Sequence, residues 1–558
     1  MNVEEKYLMW LNHPQMDEDL KEELASMNEQ QKKDAFYVEA QFGTAGIRNI
    51  LGAGTNRLNV YTIRKATKGF AEVLVKKEKE PSVAIAYDNR FKSTEFAMQA
   101  AKILASYGIK VYLYDSLRTT PQLSYTVRYF HCAGGIMITA SHNTKEYNGY
   151  KIYDENGCQL VPTKVASVID AIANIKEDFV EEAKLTNEQE KLIHMIGEDE
   201  VDKPYLQEVL TVQLHPELSK DDFKLVYSSQ HGTSFKAIST LFKEIGYDAI
   251  YVKEQCYPDP AFTNTLSPNP EDPRAYKLAL EYAEKNDADI VLTTDPDGDR
   301  LGLAVKQDGK YILMTGNQTG AVLIDYVCSQ QKLPENAVLF NTIVTSDLGE
   351  KIANNYGVEV EKTLTGFKYI GDKIETHNIN KDKKFIFGYE ESYGYLIKDF
   401  VRDKDANQSC VLIAECANYY KKQGKTLYDV LLDLYKKYGT YLESQKSITF
   451  AGADGSDKMK QLLAKLRQEK PNNIAGEKVV RYEDYGTQKA YENCNESDIV
   501  GFDKSDVLKY FLEDGSWIAV RPSGTEPKCK FYFCIKGKDQ DDVNTKQDKY
   551  YKAIDAMI

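Results

Sequence analysis

A chain of 558 residues is too long for one hydrophobic core and suggests about three to five domains. With 42% hydrophobic and 28% charged residues it has the composition of an ordinary soluble globular protein. A net charge of −14 argues against a general nucleic-acid or anionic-membrane surface, though it leaves room for a local basic pocket.

The N-terminal stretch MNVEEKYLMWLNHPQMDEDLKEE is acidic and lacks the basic-then-apolar order of a signal peptide. No apolar run reaches bilayer length. The nine cysteines are scattered, with no CxxC pair, so reduced thiols in a cytoplasm are expected, most of them as small core residues.

One order of elements then recurs three times: strand, loop, helix, glycine, strand. The first copy begins with a strand at 82–87 and a helix from about Thr94, and ends in ASYGIKVYLYD. The second has a strand at 223–227, a helix from about Ser234 and KEIGYDAIYVKE; the third has a strand at 337–340, a helix from about Ser346 and NNYGVEVEKT. Gly108, Gly246 and Gly357 fall where a helix end needs a left-handed residue, and the helices are expected to open on Ser or Thr caps. Apolar strands alternating with amphipathic helices predict mixed or parallel α/β sheets, and three such lobes are what triplication of one unit would leave. The last hundred or so residues differ. WIAVRPSGTEPKCKFYFCI reads as strand, glycine-bearing loop, strand, and VNTKQDKYYKAIDAMI as a terminal helix, which together predict a separate α+β domain.

Four polar loops carry the chemistry. In GGIMITASHNTKEYNGYKIYDENG (134–157), a buried strand Ile136-Met137-Ile138 delivers Ser141 to a sheet end, where α/β proteins place ligands. A serine there can attack carbon or phosphorus, but the surroundings are not GxSxG. His142, its immediate neighbour, is not expected to reach it as a base. A capped turn is the plain alternative.

In DIVLTTDPDGDRLGLAV, Asp295, Asp297 and Asp299 alternate between two apolar runs. Such spacing converges oxygen ligands on one cation of the Mg²⁺ or Ca²⁺ kind. An EF-hand would need glycine and an acid where Arg300 and Lys306 stand, so that reading fails. A solvated acidic turn would leave three acids repelling one another between buried strands. In FIFGYEESYGY, Glu390 and Ser392 follow a buried strand and suit vicinal sugar hydroxyls, or form an exposed strand end. In RPSGTEPK, Arg521 and Lys528 flank Ser523, Gly524 and Thr525, an arrangement able to fork onto phosphate and nest it, or a hairpin turn.

Taken in order, GTAGIR (43–48), TASHN (139–143), DPDGDR (295–300), GYEES (388–392) and RPSGTEPK (521–528) resemble the α-D-phosphohexomutase superfamily, most closely its phosphoglucomutase-like branch, over almost the whole chain. The resemblance implies four domains around a central cleft: three α/β mixed-sheet repeats and a C-terminal α+β domain resembling the TATA-binding fold. Boundaries are expected at 1–205, 206–316, 317–441 and 442–558.

It also implies a role for each loop. Ser141 would carry a phosphoryl group, and that group with Asp295, Asp297 and Asp299 would hold one Mg²⁺. Arg48 would contact the phosphoryl region, with Arg300 beside it. Lys151 matches the position of a general base or acid, with His142 second. Glu390 and Ser392, with Thr365, Gly366 and Lys368 of TLTGFKY, would grip the sugar. Arg521, Ser523, Gly524, Thr525 and Lys528 would hold the phosphate that does not react.

The implied reaction interconverts glucose 1-phosphate and glucose 6-phosphate through a glucose 1,6-bisphosphate intermediate. Phosphopentomutase and phosphomannomutase chemistry are alternatives by the same mechanism. A non-catalytic sugar-phosphate sensor is the alternative from another class, but a dead copy usually loses the serine or an aspartate, and all are present. A phosphorylated sugar is thus the expected partner, with no nucleic acid and no membrane; the sequence is silent on oligomeric state.

Overall fold

Continuous apolar runs such as SVAIAY and GGIMI can only be satisfied as strands covered on both faces. In the computed structural model, which describes every residue except 44–45, 178, 451–454, 493–494, 523–527 and 558, both are strands of one sheet, buried throughout but for the half-buried Ser82. The chain folds as two units: Met1–Thr315 with Phe367–Gly388 and Ser392–Gly424, and Gly316–Gly366 with Tyr389–Glu391 and Lys425–Ile558.

The first unit holds two mixed sheets. One comprises β1 (Ile47–Ile50), β2 (Ser82–Tyr87), β3 (Lys110–Tyr114), β4 (Gly134–Ile138), β5 (Tyr147–Tyr153) and β6 (Ile193–Ile196), in the order β1-β5-β4-β2-β3-β6. β4, β2, β3 and β6 run parallel, while at one edge β5 pairs antiparallel with β4 and β1 antiparallel with β5. The N-terminal helices belong to the same core, with Trp10, Leu24 and Phe36 joining Phe70, Ile85 and Ile136. The other sheet comprises β7 (Leu225–Ser228), β8 (Ile250–Tyr251), β9 (Ile290–Thr294), β10 (Leu301–Gln307) and β11 (Lys310–Met314), in the order β11-β10-β9-β7-β8. Here β9, β7 and β8 are parallel, and the β9–β10–β11 meander is antiparallel.

In the second unit β12 (Ala337–Thr342) and β13 (Glu359–Thr363) pair in parallel. β14 (Lys384–Glu390) gives this unit only its last two residues, and β15 (Gly394–Leu396) lies in the first unit. The C-terminal sheet is antiparallel: β16 (Thr440–Thr449), β17 (Asn473–Ile474), β18 (Glu477–Asp484), β19 (Lys489–Glu492), β20 (Asn495–Asp498), β21 (Leu508–Leu512), β22 (Trp517–Pro522) and β23 (Lys528–Gly537), in the order β16-β23-β22-β21-β18-β19-β20, with β17 on β18. Leu463 and Leu466 of the helix Gly455–Glu469, and Val543 and Tyr550 of the helix Gln540–Met557, share its apolar core with Phe531 and Phe533. This is the α+β pattern expected of the C-terminus.

The repeated helix ends are as read, with Gly108, Gly246 and Gly357 at φ +76°, +95° and +76°. The helix starts need correction. Ser346 caps its helix by accepting from Leu348 N, but Ser234 already has helical backbone angles and makes no cap. The first of these helices begins at Ser93, after a left-handed Lys92 that caps nothing through its side chain, because the Ser93 hydroxyl donates to Asp88 Oδ1 at 2.8 Å instead. Among the described residues no helix is long and apolar enough to cross a membrane.

Candidate active site

β4 ends at Ile138, and the chain turns sharply through Thr139-Ala140-Ser141. Ser141 sits in the left-handed region at φ +52°, unusual for a residue with a Cβ. Its amide donates to Thr139 Oγ1 at 2.8 Å, and its side chain is nearly enclosed. Ser141 Oγ donates to Asp295 Oδ2 at 2.8 Å and lies 3.2 Å from His142 Nδ1. The expectation that adjacent side chains would not meet is thereby corrected; the left-handed backbone at the serine is the conformation in which they do. Burial, reinforced by the guanidinium charges of Arg300 and Arg48, holds the His142 imidazole well below its usual range, so it is neutral at pH 7.

The three aspartates occupy the turn between β9 and β10, whose register aligns Leu301 with Thr294. All three are buried, and one carboxylate oxygen from each lies within 4.8 Å of the other two. Asp295 Oδ1 accepts from the amides of Asp299 and Arg300, at 3.1 and 3.0 Å. Asp297 Oδ2 accepts from Thr120 Oγ1 at 3.0 Å and Lys151 Nζ at 3.1 Å. Asp299 Oδ2 lies 3.0 Å from Lys404 Nζ. The other oxygens of Asp297 and Asp299, both Oδ1, are buried with no hydrogen-bond partner among the described residues.

Crowding divides the protons. Burial and the charges of Asp297 and Asp299 push Asp295 well above the usual carboxylate range. Burial also presses Asp297 upward, but Lys151, a hydrogen bond from Asp295 and Lys404 together hold it well below. Converging hard oxygens with orphaned lone pairs fit a divalent cation that prefers oxygen ligands.

The cations arrive from separate elements. Lys151 stands on β5, paired with Met137 of β4, and its side chain is only 10% exposed. Arg48, on β1, donates to Asn143 Oδ1 at 3.0 Å and so touches the serine loop from the side. Arg300 binds Glu271, with Nε 3.9 Å from Asp299 Oδ1. Lys404 was not singled out from the sequence, yet its Nζ bridges Asp299 Oδ2 and Asp403 Oδ1 at 3.0 and 2.9 Å. Its one signal is a lysine between acids in VRDKD, just before a helix capped by Asp405.

The sugar-side residues divide between the units. In the second unit Glu390 Oε1 accepts from Gly366 N at 2.9 Å, so two motifs far apart in sequence meet there. Thr365 Oγ1 is buried with no hydrogen-bond partner among the described residues. Lys368 and Ser392 belong to the first unit. Arg521 and Lys528 flank a β22–β23 hairpin, half-buried at its mouth, whereas Ser523, Gly524 and Thr525 lie outside the described residues.

Comparison with known proteins adds to this geometry. Four sequence profiles of one family match in succession: phosphoglucomutase/phosphomannomutase alpha/beta/alpha domain I over residues 39–179, domain II over 203–309, domain III over 315–438, and the C-terminal domain over 459–549. The chain is 39% identical to a phosphoglucomutase of Staphylococcus haemolyticus over 93% of its own length and 94% of the relative's. In fold it is similar to the exocytosis-sensitive phosphoprotein parafusin, a phosphoglucomutase of Paramecium, in an open form: TM-score 0.69, 18% identity, 93% and 94% of the two chains. A phosphoglucomutase/phosphomannomutase family protein of Burkholderia thailandensis gives TM-score 0.68 at 17% identity, over 93% and 98%.

Proposed function

The chain belongs to the phosphoglucomutase/phosphomannomutase family, and from that premise we propose that it interconverts α-D-glucose 1-phosphate and glucose 6-phosphate through a phosphoserine at Ser141. It is an enzyme, an intramolecular phosphotransferase of the isomerase class. The observation that carries the reading is the Ser141 hydroxyl hydrogen-bonded to Asp295 at the head of three converging carboxylates. Such a setting would repel the oxyanion of acyl transfer, but it suits a hydroxyl that exchanges a phosphoryl group beside a cation.

Asp295, Asp297 and Asp299, with the phosphoryl group on Ser141, would hold one Mg²⁺, which neutralises charge on the transferring group. In the first half-reaction the bond between Ser141 Oγ and phosphorus breaks, a sugar hydroxyl oxygen bonds to that phosphorus, and the hydroxyl loses its proton. Lys151 is assigned as the group that takes and returns that proton, because its Nζ reaches the triad from a rigid strand. Lys404 is its geometric rival, and His142, neutral and 3.2 Å from Ser141 Oγ, is a third candidate. The product is glucose 1,6-bisphosphate, and its other phosphate returns to Ser141 in the second half-reaction.

By the family pattern Arg48 and Arg300 contact the phosphoryl region, Glu390, Ser392, Thr365, Gly366 and Lys368 bind the sugar, and Arg521, Ser523, Gly524, Thr525 and Lys528 hold the idle phosphate. A cytoplasmic setting suits the eight described cysteines, all buried and free.

Incubation with glucose 1,6-bisphosphate should add one phosphoryl group, mapped by peptide mass to Ser141. A substrate panel of glucose, mannose, ribose and N-acetylglucosamine 1-phosphates should rank glucose first. Full turnover by Ser141→Ala would overturn the reading.

A further inference from the structure

The Ser141 loop has a buried partner that the motifs did not reveal. β2 and β4 are parallel neighbours, so their ends lie side by side, with Asp88 N donating to Ile138 O at 3.1 Å. The residues just past β2, Asp88-Asn89-Arg90, therefore meet the loop just past β4. Arg90 and Asp88 have fully enclosed side chains, with Arg90 Nε 3.2 Å from Asp88 Oδ2. Asp88 Oδ1 accepts from Arg90 N at 3.0 Å and from Ser93 Oγ at 2.8 Å, so the carboxylate is itself anchored.

From that anchor the guanidinium spreads over the serine loop. Nη2 donates to the carbonyls of Ser141 and Asn143, both at 2.6 Å. Nη1 donates to the carbonyls of Thr144 and Tyr147, at 2.8 and 3.0 Å. Phe262, from the segment following β8, covers the guanidinium with its ring centroid 5.1 Å away.

We infer that Arg90 is a positioning residue for phosphoryl transfer, holding the serine loop in its reactive shape by binding four of the loop's carbonyls with one guanidinium. The inference rests on the phosphoserine reading of Ser141.

The chemistry favours positioning over a direct role. The Ser141 carbonyl is buried and those of Asn143, Thr144 and Tyr147 are partly screened from water, so each gains from a protein donor. Within the loop only short turns supply any, such as Asn143 N to Ala140 O and Tyr147 N to Thr144 O. A guanidinium has five N–H groups in a rigid plane. Four donate to carbonyls, and the fifth, on Nε, is sealed from solvent 3.2 Å from Asp88 Oδ2 in an ion pair without hydrogen-bond geometry, so none is presented to a phosphate. Arg90 therefore acts through the backbone of Ser141, whose left-handed φ is held in place by the bond to its own carbonyl. A lysine, with one nitrogen, cannot span four acceptors.

The test compares wild type with Arg90→Lys in the Mg²⁺-supplied full chain. For Arg90→Lys, kcat should fall about 100-fold while the KM for glucose 1-phosphate moves less than about threefold, because the reacting oxygen is displaced and the sugar contacts are not. Phosphorylation of Ser141 by glucose 1,6-bisphosphate should slow in parallel. Amide exchange should rise in the peptide covering 139–147 and stay unchanged over β21–β23. Asp88→Asn, which leaves the four carbonyl bonds but loosens the anchor, should give a smaller loss with the same signature and serves if Arg90→Lys does not fold. Retention of kcat within about twofold, a loss confined to KM, or unchanged loop exchange would each overturn the inference. Wild type inert on every sugar phosphate, with loop exchange still raised selectively in the variant, would sink the functional reading and leave standing only Arg90's hold on the loop.

Discussion

Lys509, on β21, is 1% exposed, and its ammonium donates to the carbonyl of Ile343 just past β12 at 2.7 Å. The ammonium sits 4.0 Å from the ring centroid of Trp517. Burial, with Lys362 repelling, lowers it from 10.5 to about 8, and Asp347 and Glu483 only partly oppose this. A lysine whose folded pKa is depressed binds fewer protons folded than unfolded between those values, so its share of stability rises with pH through that window. The full difference is about 3 kcal/mol, most of it recovered between pH 7 and pH 10. Lys509→Met removes the titration, the carbonyl bond and the cation–π contact together. At pH 7 these changes partly offset, and the variant should lie within about 2 kcal/mol of wild type. By pH 10 wild type should have gained about 2 to 3 kcal/mol on it. The chain has two tryptophans, so in a Trp10→Phe background the fluorescence of Trp517 alone follows urea unfolding of this sheet. The same emission should titrate in the folded state near pH 8 and not in Lys509→Met. Parallel stability curves for the two proteins from pH 7 to pH 10 would refute the reasoning.

Glu443 gives the opposite slope: burial raises it from 4.5 to about 6, against a hydrogen bond from Ser346. Its contribution is present below pH 4.5 and lost as pH rises through 6, so wild type should lose about 2 kcal/mol relative to Glu443→Gln across that range by urea titration. Gly46→Ala should fail to fold or lose more than about 3 kcal/mol in thermal melts, since a Cβ there would stand 2.1 Å from Tyr150 O at a φ of +89°. Activity should vanish with chelator and return with Mg²⁺, and Asp297→Asn should raise the Mg²⁺ needed for half-activity by about tenfold or more. Lys151→Met should lower kcat by about 100-fold or more in a coupled glucose 6-phosphate assay, with KM little changed.

The strands were legible where both faces are covered. SVAIAY begins and ends as read because every residue but its first is buried, so hydrophobicity alone marks the limits. The strand expected at 223–227 runs instead as Leu225–Ser228, since Phe223 is drawn into a turn through its bond to Lys220 O. Helix starts were less legible because a cap is a choice among partners. Ser93 found a buried carboxylate, and local sequence does not record that Asp88 would be anchored beside it.

The site was legible as motifs but not as a charge network. YDNRFK and VRDKDAN look like solvated loops, and nothing in either stretch announces that Arg90 and Lys404 are buried. Their partners, the carbonyls of 141–147 and Asp299, lie 51 residues or more away at the nearest for Arg90 and over a hundred for Lys404. The motifs themselves are tied by backbone fit as much as by chemistry. Gly149 of NGYK lies where a Cβ would come within 2.4 Å of Thr139 O, at the start of TASHN. Gly46 of GTAGIR lies where a Cβ would strike Tyr150 O, beside Lys151. Each glycine lets one motif close on the next, backbone against backbone at these two points. Lys151 then reaches Asp297 from a strand whose place depends on those two contacts, and a larger residue at either would move the lysine and the serine apart before it touched the chemistry.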